Sequence, residues 1–93
     1  MAGKQIPLAQ LVELLSAKFD GDPDFVIKDA GTIRECKRDW ITFVIDKKHF
    51  QEFEASDVQV AIVSHEMPPS TKMTLRVENV VAAFAQTVRL SEI

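Results

Sequence analysis

The sequence is short of most features that announce a chemistry. It has one cysteine, Cys36, so no internal disulfide can form, which fits a reducing compartment and makes the cytoplasm the expected location. The three glycines, Gly3, Gly21 and Gly31, lie far apart, which excludes a glycine-rich phosphate loop. Neither a Cys-x-x-Cys nor a His-Glu-x-x-His spacing occurs, so no metal site and no cofactor is expected. No run approaches the roughly 18 apolar residues that a bilayer-spanning helix needs. The opening Met1-Ala2-Gly3-Lys4-Gln5-Ile6-Pro7 carries one positive charge and no apolar core of signal-peptide length. The expectation is an untargeted chain with no membrane insertion. Basic residues are not in excess either: 11 stand against 14 acidic ones, a net charge of −3 spread along the whole chain. Without a basic stripe to hold a phosphate backbone, nucleic acid is not an expected partner.

What is present is enough for one core. Ninety-three residues with 46% apolar content suit a single domain spanning 1–93. A chain this short has little stability to spend on a deep cavity, so a ligand is expected in a surface groove or against a second domain.

Leu8, Leu11, Val12, Leu15 and Phe19 follow the three-and-four spacing of one helical face. Pro7 stands where a first-turn proline is tolerated. The spacing predicts a helix over residues 7–19 that stops at Asp20-Gly21-Asp22-Pro23. Phe25-Val26-Ile27 reads as a short strand, and residues 32–39 are ambiguous. Trp40-Ile41-Thr42-Phe43-Val44-Ile45 is a run of β-favouring residues, read as the central strand covered on both faces. Asp46 is placed to cap a helix over residues 47–54 in which Phe50 and Phe53 share a face. Strands are expected over 58–63 and 73–77, with a loop at Met67-Pro68-Pro69-Ser70. Asn79 is placed to cap a last helix with Val80, Val81, Phe84 and Val88 along one stripe. The class is α/β or α+β: a small mixed sheet flanked by helices.

Catalytic machinery is hard to assemble from these residues. His49 and His65 are far apart in sequence, and general-base catalysis needs a positioned partner, so His65 reads as an exposed loop residue. Cys36 between Glu35 and Lys37 has no histidine close in sequence to activate it and reads as an inert thiol. Asp20, Asp22 and Asp24 alternate as calcium ligands sometimes do, but the EF-hand glycine and twelfth-position acid are missing, with Phe25 and Gly31 in those places. One constellation stands out. Phe43, Asp46, Lys48 and His49 flank the strand-to-helix junction, where an aromatic ring, a carboxylate, an ammonium and an imidazole suit a flat heterocycle. The plainer reading of the same residues is a core phenylalanine and a solvated helix start.

The order of these motifs resembles a known family. Leu8-Ala9-Gln10-Leu11, then Phe19-Asp20-Gly21-Asp22-Pro23-Asp24-Phe25-Val26-Ile27, is similar to the opening of the UDP-3-O-acylglucosamine N-acyltransferases of lipid A biosynthesis, and also of the N-terminal domains of Mur ligases. Ile41-Thr42-Phe43-Val44-Ile45-Asp46-Lys47-Lys48-His49 resembles the acyltransferases' Ile-Thr-Phe-x-x-Asn-Pro-Lys-Tyr. Mur ligases place a Gly-Asp-x-Phe-x-Ala segment there, followed by a glycine-rich turn that is missing here. Residues 57–63 and Leu75-Arg76-Val77-Glu78-Asn79 are similar to the acyltransferases' next strand and the start of their closing helix. The resemblance covers about residues 6–90 and implies a domain similar in fold to the Mur N-terminal domains.

It further implies that this domain holds the uridine of UDP-3-O-acylglucosamine, with Phe43 and His49 on the two faces of uracil, Asp46 at its edge and Lys48 near the diphosphate. Three positions depart from the pattern: Asp46 stands for asparagine, Lys47 for proline and His49 for tyrosine. An ionised carboxylate only accepts hydrogen bonds, so Asp46 loses the donor that the amide supplies. The hexapeptide-repeat domain, which in the family carries the catalytic histidine and meets acyl carrier protein, is absent from these 93 residues. The expectation is a uridine-binding domain inactive alone; the alternative is a stand-alone binding or protein-interaction module that kept the fold and lost the nucleotide site.

Overall fold

The first helix breaks off before its apolar periodicity does. In the structure, a computed structural model that describes residues 5–91, α1 (Leu8–Leu15) ends where Ser16 turns into the left-handed conformation at φ 52°. Phe19 continues the helical spacing only by coincidence, for it lies in the strand β2 (Lys18–Asp20). The N-terminus of α1 has no side-chain cap. Its first free N–H groups, of Leu8 and Ala9, donate instead to the carbonyls of Phe25 and Pro23, which satisfies two of the donors that a helix start leaves open. Residues 1–4, on which the leader argument partly rests, lie outside the described residues.

Ile6–Pro7 (β1) and Val26–Ile27 (β3) pair antiparallel as a small two-stranded sheet. The main sheet is built from β2 with Asp29–Ala30 (β4), Trp40–Val44 (β5), Val60–Ser64 (β6) and Met73–Val77 (β7), in the order β2-β7-β6-β5-β4. Strands β4 to β7 run parallel, and β2 closes the far edge antiparallel to β7. The remaining helices are α2 (Lys47–Ala55) and α3 (Val80–Ser91). Among the described residues this is a mixed α/β fold of seven strands in two sheets and three helices, the class expected from sequence.

The middle place belongs to β6, not to the Trp40 run. Strand β5 is interior, between β6 and the two-residue β4, and Ile45 lies beyond its end and is exposed. The pleat divides the core in two. Ile41 of β5, Val60 and Ile62 of β6 and Leu75 of β7 pack with Leu8, Leu11, Val80 and Ala83 of α1 and α3. Val44, Ala61 and Val63 pack with Phe50 and Phe53 of α2 on the other side. Four successive buried residues in β6 are what a strand covered on both faces requires.

The stripe of α3 also differs from expectation. Val80, Ala83 and Thr87 are buried, whereas Val81 is 65% exposed, because one residue of helix turns a side chain about 100° away from the stripe. Thr87 is accommodated in the core by donating its hydroxyl to the Ala83 carbonyl at 2.9 Å. At the edge of the sheet Gly21 is required by geometry. Its φ is +150°, and a Cβ there would lie 2.3 Å from Met73 Cγ, so a side chain meets both strain and a clash.

Candidate functional site

Strand β5 delivers Phe43 and the following Ile45 to the carboxyl end of the parallel strands, where α2 begins. Asp46 caps that helix: its Oδ1 accepts the His49 backbone N–H at 2.8 Å, as an N-cap side chain should. The same oxygen lies 2.7 Å from His49 Nδ1. These bonds, the backbone N–H first, hold the Asp46 carboxyl below its usual value. Across the gap, residues 32–36 form one tight turn closed by a reciprocal cap. Thr32 N–H and Oγ1 both donate to Glu35 Oε1, at 3.2 and 2.9 Å, and the Thr32 carbonyl accepts from the N–H groups of Glu35 and Cys36.

Between these walls lies a pocket of ≈ 390 Å³ lined by Thr32, Ile33, Arg34, Phe43, Ile45, His49 and Glu52, within the size range of small-molecule sites. Its place, beyond the carboxyl ends of β4 and β5, is the position at which open parallel sheets commonly hold ligands. Phe43 is half-buried, with its ring centroid 4.4 Å from that of Phe84 on α3 and the planes tilted 42°. The ring is thereby braced from behind by the core while it lines the pocket.

Of the four residues singled out from sequence, Phe43 and His49 meet in this pocket. Asp46 stands behind His49 and does not line it, and neither does Lys48, which is exposed on α2. Sequence reasoning missed Arg34, Thr32, Ile33, Ile45 and Glu52. One signal for the 32–35 turn was available: Thr32-x-x-Glu35 is a capping-box pattern.

The other sequence candidates lie apart from this pocket. His65 lines a separate groove of ≈ 430 Å³ with Lys18, Phe19, Asp20, Met67, Pro69 and Arg76, and the Arg76 guanidinium is taken up by the carbonyls of Ser64, Met67 and Pro68. Asp22 closes a turn by accepting the Asp24 N–H. Cys36 packs behind the pocket turn, its Sγ 3.3 Å from the Gly31 carbonyl, and burial pushes its thiol up to about 11.

No protein-family model matches the chain. It is similar to the UDP-3-O-acylglucosamine N-acyltransferase of Pseudoalteromonas translucida, with 29% identity over 86 residues. That alignment takes in 91% of this chain and 25% of the relative, so the chain spans about a quarter of the acyltransferase it matches. The similarity supports an acyltransferase-related segment. Among the described residues no helix is long and apolar enough to cross a membrane.

Proposed function

We propose that the chain is the nucleotide-binding domain of a UDP-3-O-acylglucosamine N-acyltransferase of lipid A biosynthesis, holding the uridine of its UDP-sugar substrate and inactive alone. The observation that carries this reading is the pocket beyond β4 and β5, in which a braced aromatic ring, an imidazole and an arginine surround a space of ≈ 390 Å³. Phe43 and Ile45 offer an apolar wall to a flat base, and His49 and Arg34 offer polar groups at its rim. The partial similarity to a protein whose name specifies a UDP-sugar acceptor supports the choice of nucleotide. Acyl transfer and contact with acyl carrier protein would belong to a hexapeptide-repeat domain outside these residues, and the setting would be the cytoplasm.

Stacking on one aromatic ring is worth on the order of 1–3 kcal/mol, which against the entropy of association leaves a dissociation constant of about millimolar. A titration with UMP followed by NMR is expected to move the amides around Phe43, residues 32–34 and the start of α2. Phe43→Leu keeps a core-filling side chain against Phe84 and removes the ring, so it should weaken UMP by roughly threefold or more. Shifts remote from Phe43, or none at high millimolar UMP, would replace this reading with the second one, a binding or interaction module that kept the fold and lost the nucleotide site. One observation favours that second reading: Asp46 Oδ1 is already engaged by His49, and Asp46 does not line the pocket.

A further inference from the structure

The charged groups of the pocket are not those the motif pointed to. Arg34 lines it from the turn that follows β4 and forms no ion pair among the described residues. His49 lines it from α2 with Nδ1 tied to Asp46 Oδ1 at 2.7 Å. That tie settles which ring nitrogen is left for a ligand. With Nδ1 donating to the carboxylate, Nε2 of the neutral ring is an acceptor, whereas in the imidazolium it is a second donor. An anionic oxygen is repelled by the first form and bound by the second. The charged groups that face His49 are Asp46 and Glu52 from its own helix and Arg34 from the opposite turn. Strand β5 presents Phe43 and Ile45, which do not titrate. Arg34 and His49 line the same pocket from opposite walls, so an anion between them would meet both side chains.

We propose that Arg34 and the imidazolium of His49 form the anion-binding half of this pocket, with Asp46 as the residue that positions His49, so that the chain selects phosphoesters of a nucleoside over the free nucleoside and does so more strongly in acid. This inference rests on the nucleotide reading above. It assigns the phosphate side to Arg34 and His49 in place of Lys48, and it gives Asp46 a role behind the imidazole in place of one at the base edge.

The test compares UDP-glucose, whose diphosphate diester keeps its charge across the range, with uridine, which has no phosphate. Each is titrated by NMR into the full chain at pH 8.0, 6.5 and 5.5, a range that spans the ordinary imidazole pKa of about 6.5. UDP-glucose should bind roughly threefold to tenfold tighter at the acid end, the size expected when a hydrogen bond becomes charge-assisted, and uridine should change by less than about twofold. His49→Gln should abolish the acid-side gain. Arg34→Gln should weaken UDP-glucose at every pH and leave uridine unchanged. Asp46→Asn keeps an oxygen for the helix cap but withdraws the carboxylate from the imidazolium, so it should keep only part of the gain. Binding of both ligands at Phe43 with no pH dependence, or an acid-side gain that survives in His49→Gln, would overturn the inference and leave the nucleotide reading standing. Failure of both ligands to move the Phe43 region at any pH would remove the two together.

Discussion

Single residues here show how burial overrides local sequence. Cys36 has lysine as its next neighbour in the chain, which by itself would favour a thiolate, yet its side chain is packed against the Val44 and Phe53 cluster. Burial is the larger influence and lifts the thiol from the ordinary 9.0 to about 11. A disulfide reagent at pH 7.5 should therefore label the folded chain much more slowly than the urea-unfolded one, and equal rates would show that the thiol is open. The raised value has a thermodynamic side. Folding holds the proton on Cys36, so its contribution is complete below about pH 9 and is lost as pH rises through the folded value near 11. Urea midpoints measured between pH 8 and pH 11 should fall with alkalinity, and Cys36→Ala should flatten part of that fall.

At the scale of elements, α2 is clamped at both ends by side chains. At its start Asp46 accepts the His49 N–H. The fold depresses that carboxyl, so its support is fully present above the ordinary value of 3.8 and lost as pH falls through the depressed one. Asp46→Ala should lower the thermal midpoint by a few degrees at pH 7 and make little difference near pH 2, as followed by circular dichroism. At the other end Lys72 reaches from the β6–β7 connection to the carbonyls of Phe53, Ser56 and Val58 and lies 5.0 Å from the Phe53 ring centroid. Lys72→Met keeps much of the apolar stem and strands those acceptors, so it should cost about 1–3 kcal/mol in urea unfolding. The cap of α2, its Phe50 and Phe53 face and the loop at 67–70 were all legible in sequence, because each is decided by residues a few positions apart. The strands β2 and β4 were not. They are three and two residues long, too short for any periodicity, and are strands only because β7 and β5 lie beside them. The pocket was half legible for the same reason: Phe43 and His49 belong to one local motif, whereas Arg34 joins them through the pairing of β4 with β5.

In the reading proposed above, acyl transfer belongs to a domain outside these residues, and His65 faces a different groove from the pocket that His49 lines. Incubated with an acyl carrier protein thioester and UDP-3-O-acylglucosamine, the chain should show no acyl transfer above background; turnover that disappears in His65→Ala would make it an enzyme in its own right. The antiparallel edge strand carries a different kind of consequence, one of timing. Lys18, Phe19 and Asp20 pair with Arg76, Leu75 and Thr74, so a segment made first waits for one that emerges from the ribosome much later. Until then the first helix has no completed sheet to rest on, and the Phe19 segment is an unpaired strand edge open to the wrong neighbour. Closure between distant parts of the chain slows folding relative to a bundle with local contacts, and a ribosome stalled before residue 73 should hold a nascent chain whose N-terminal third is still sensitive to protease.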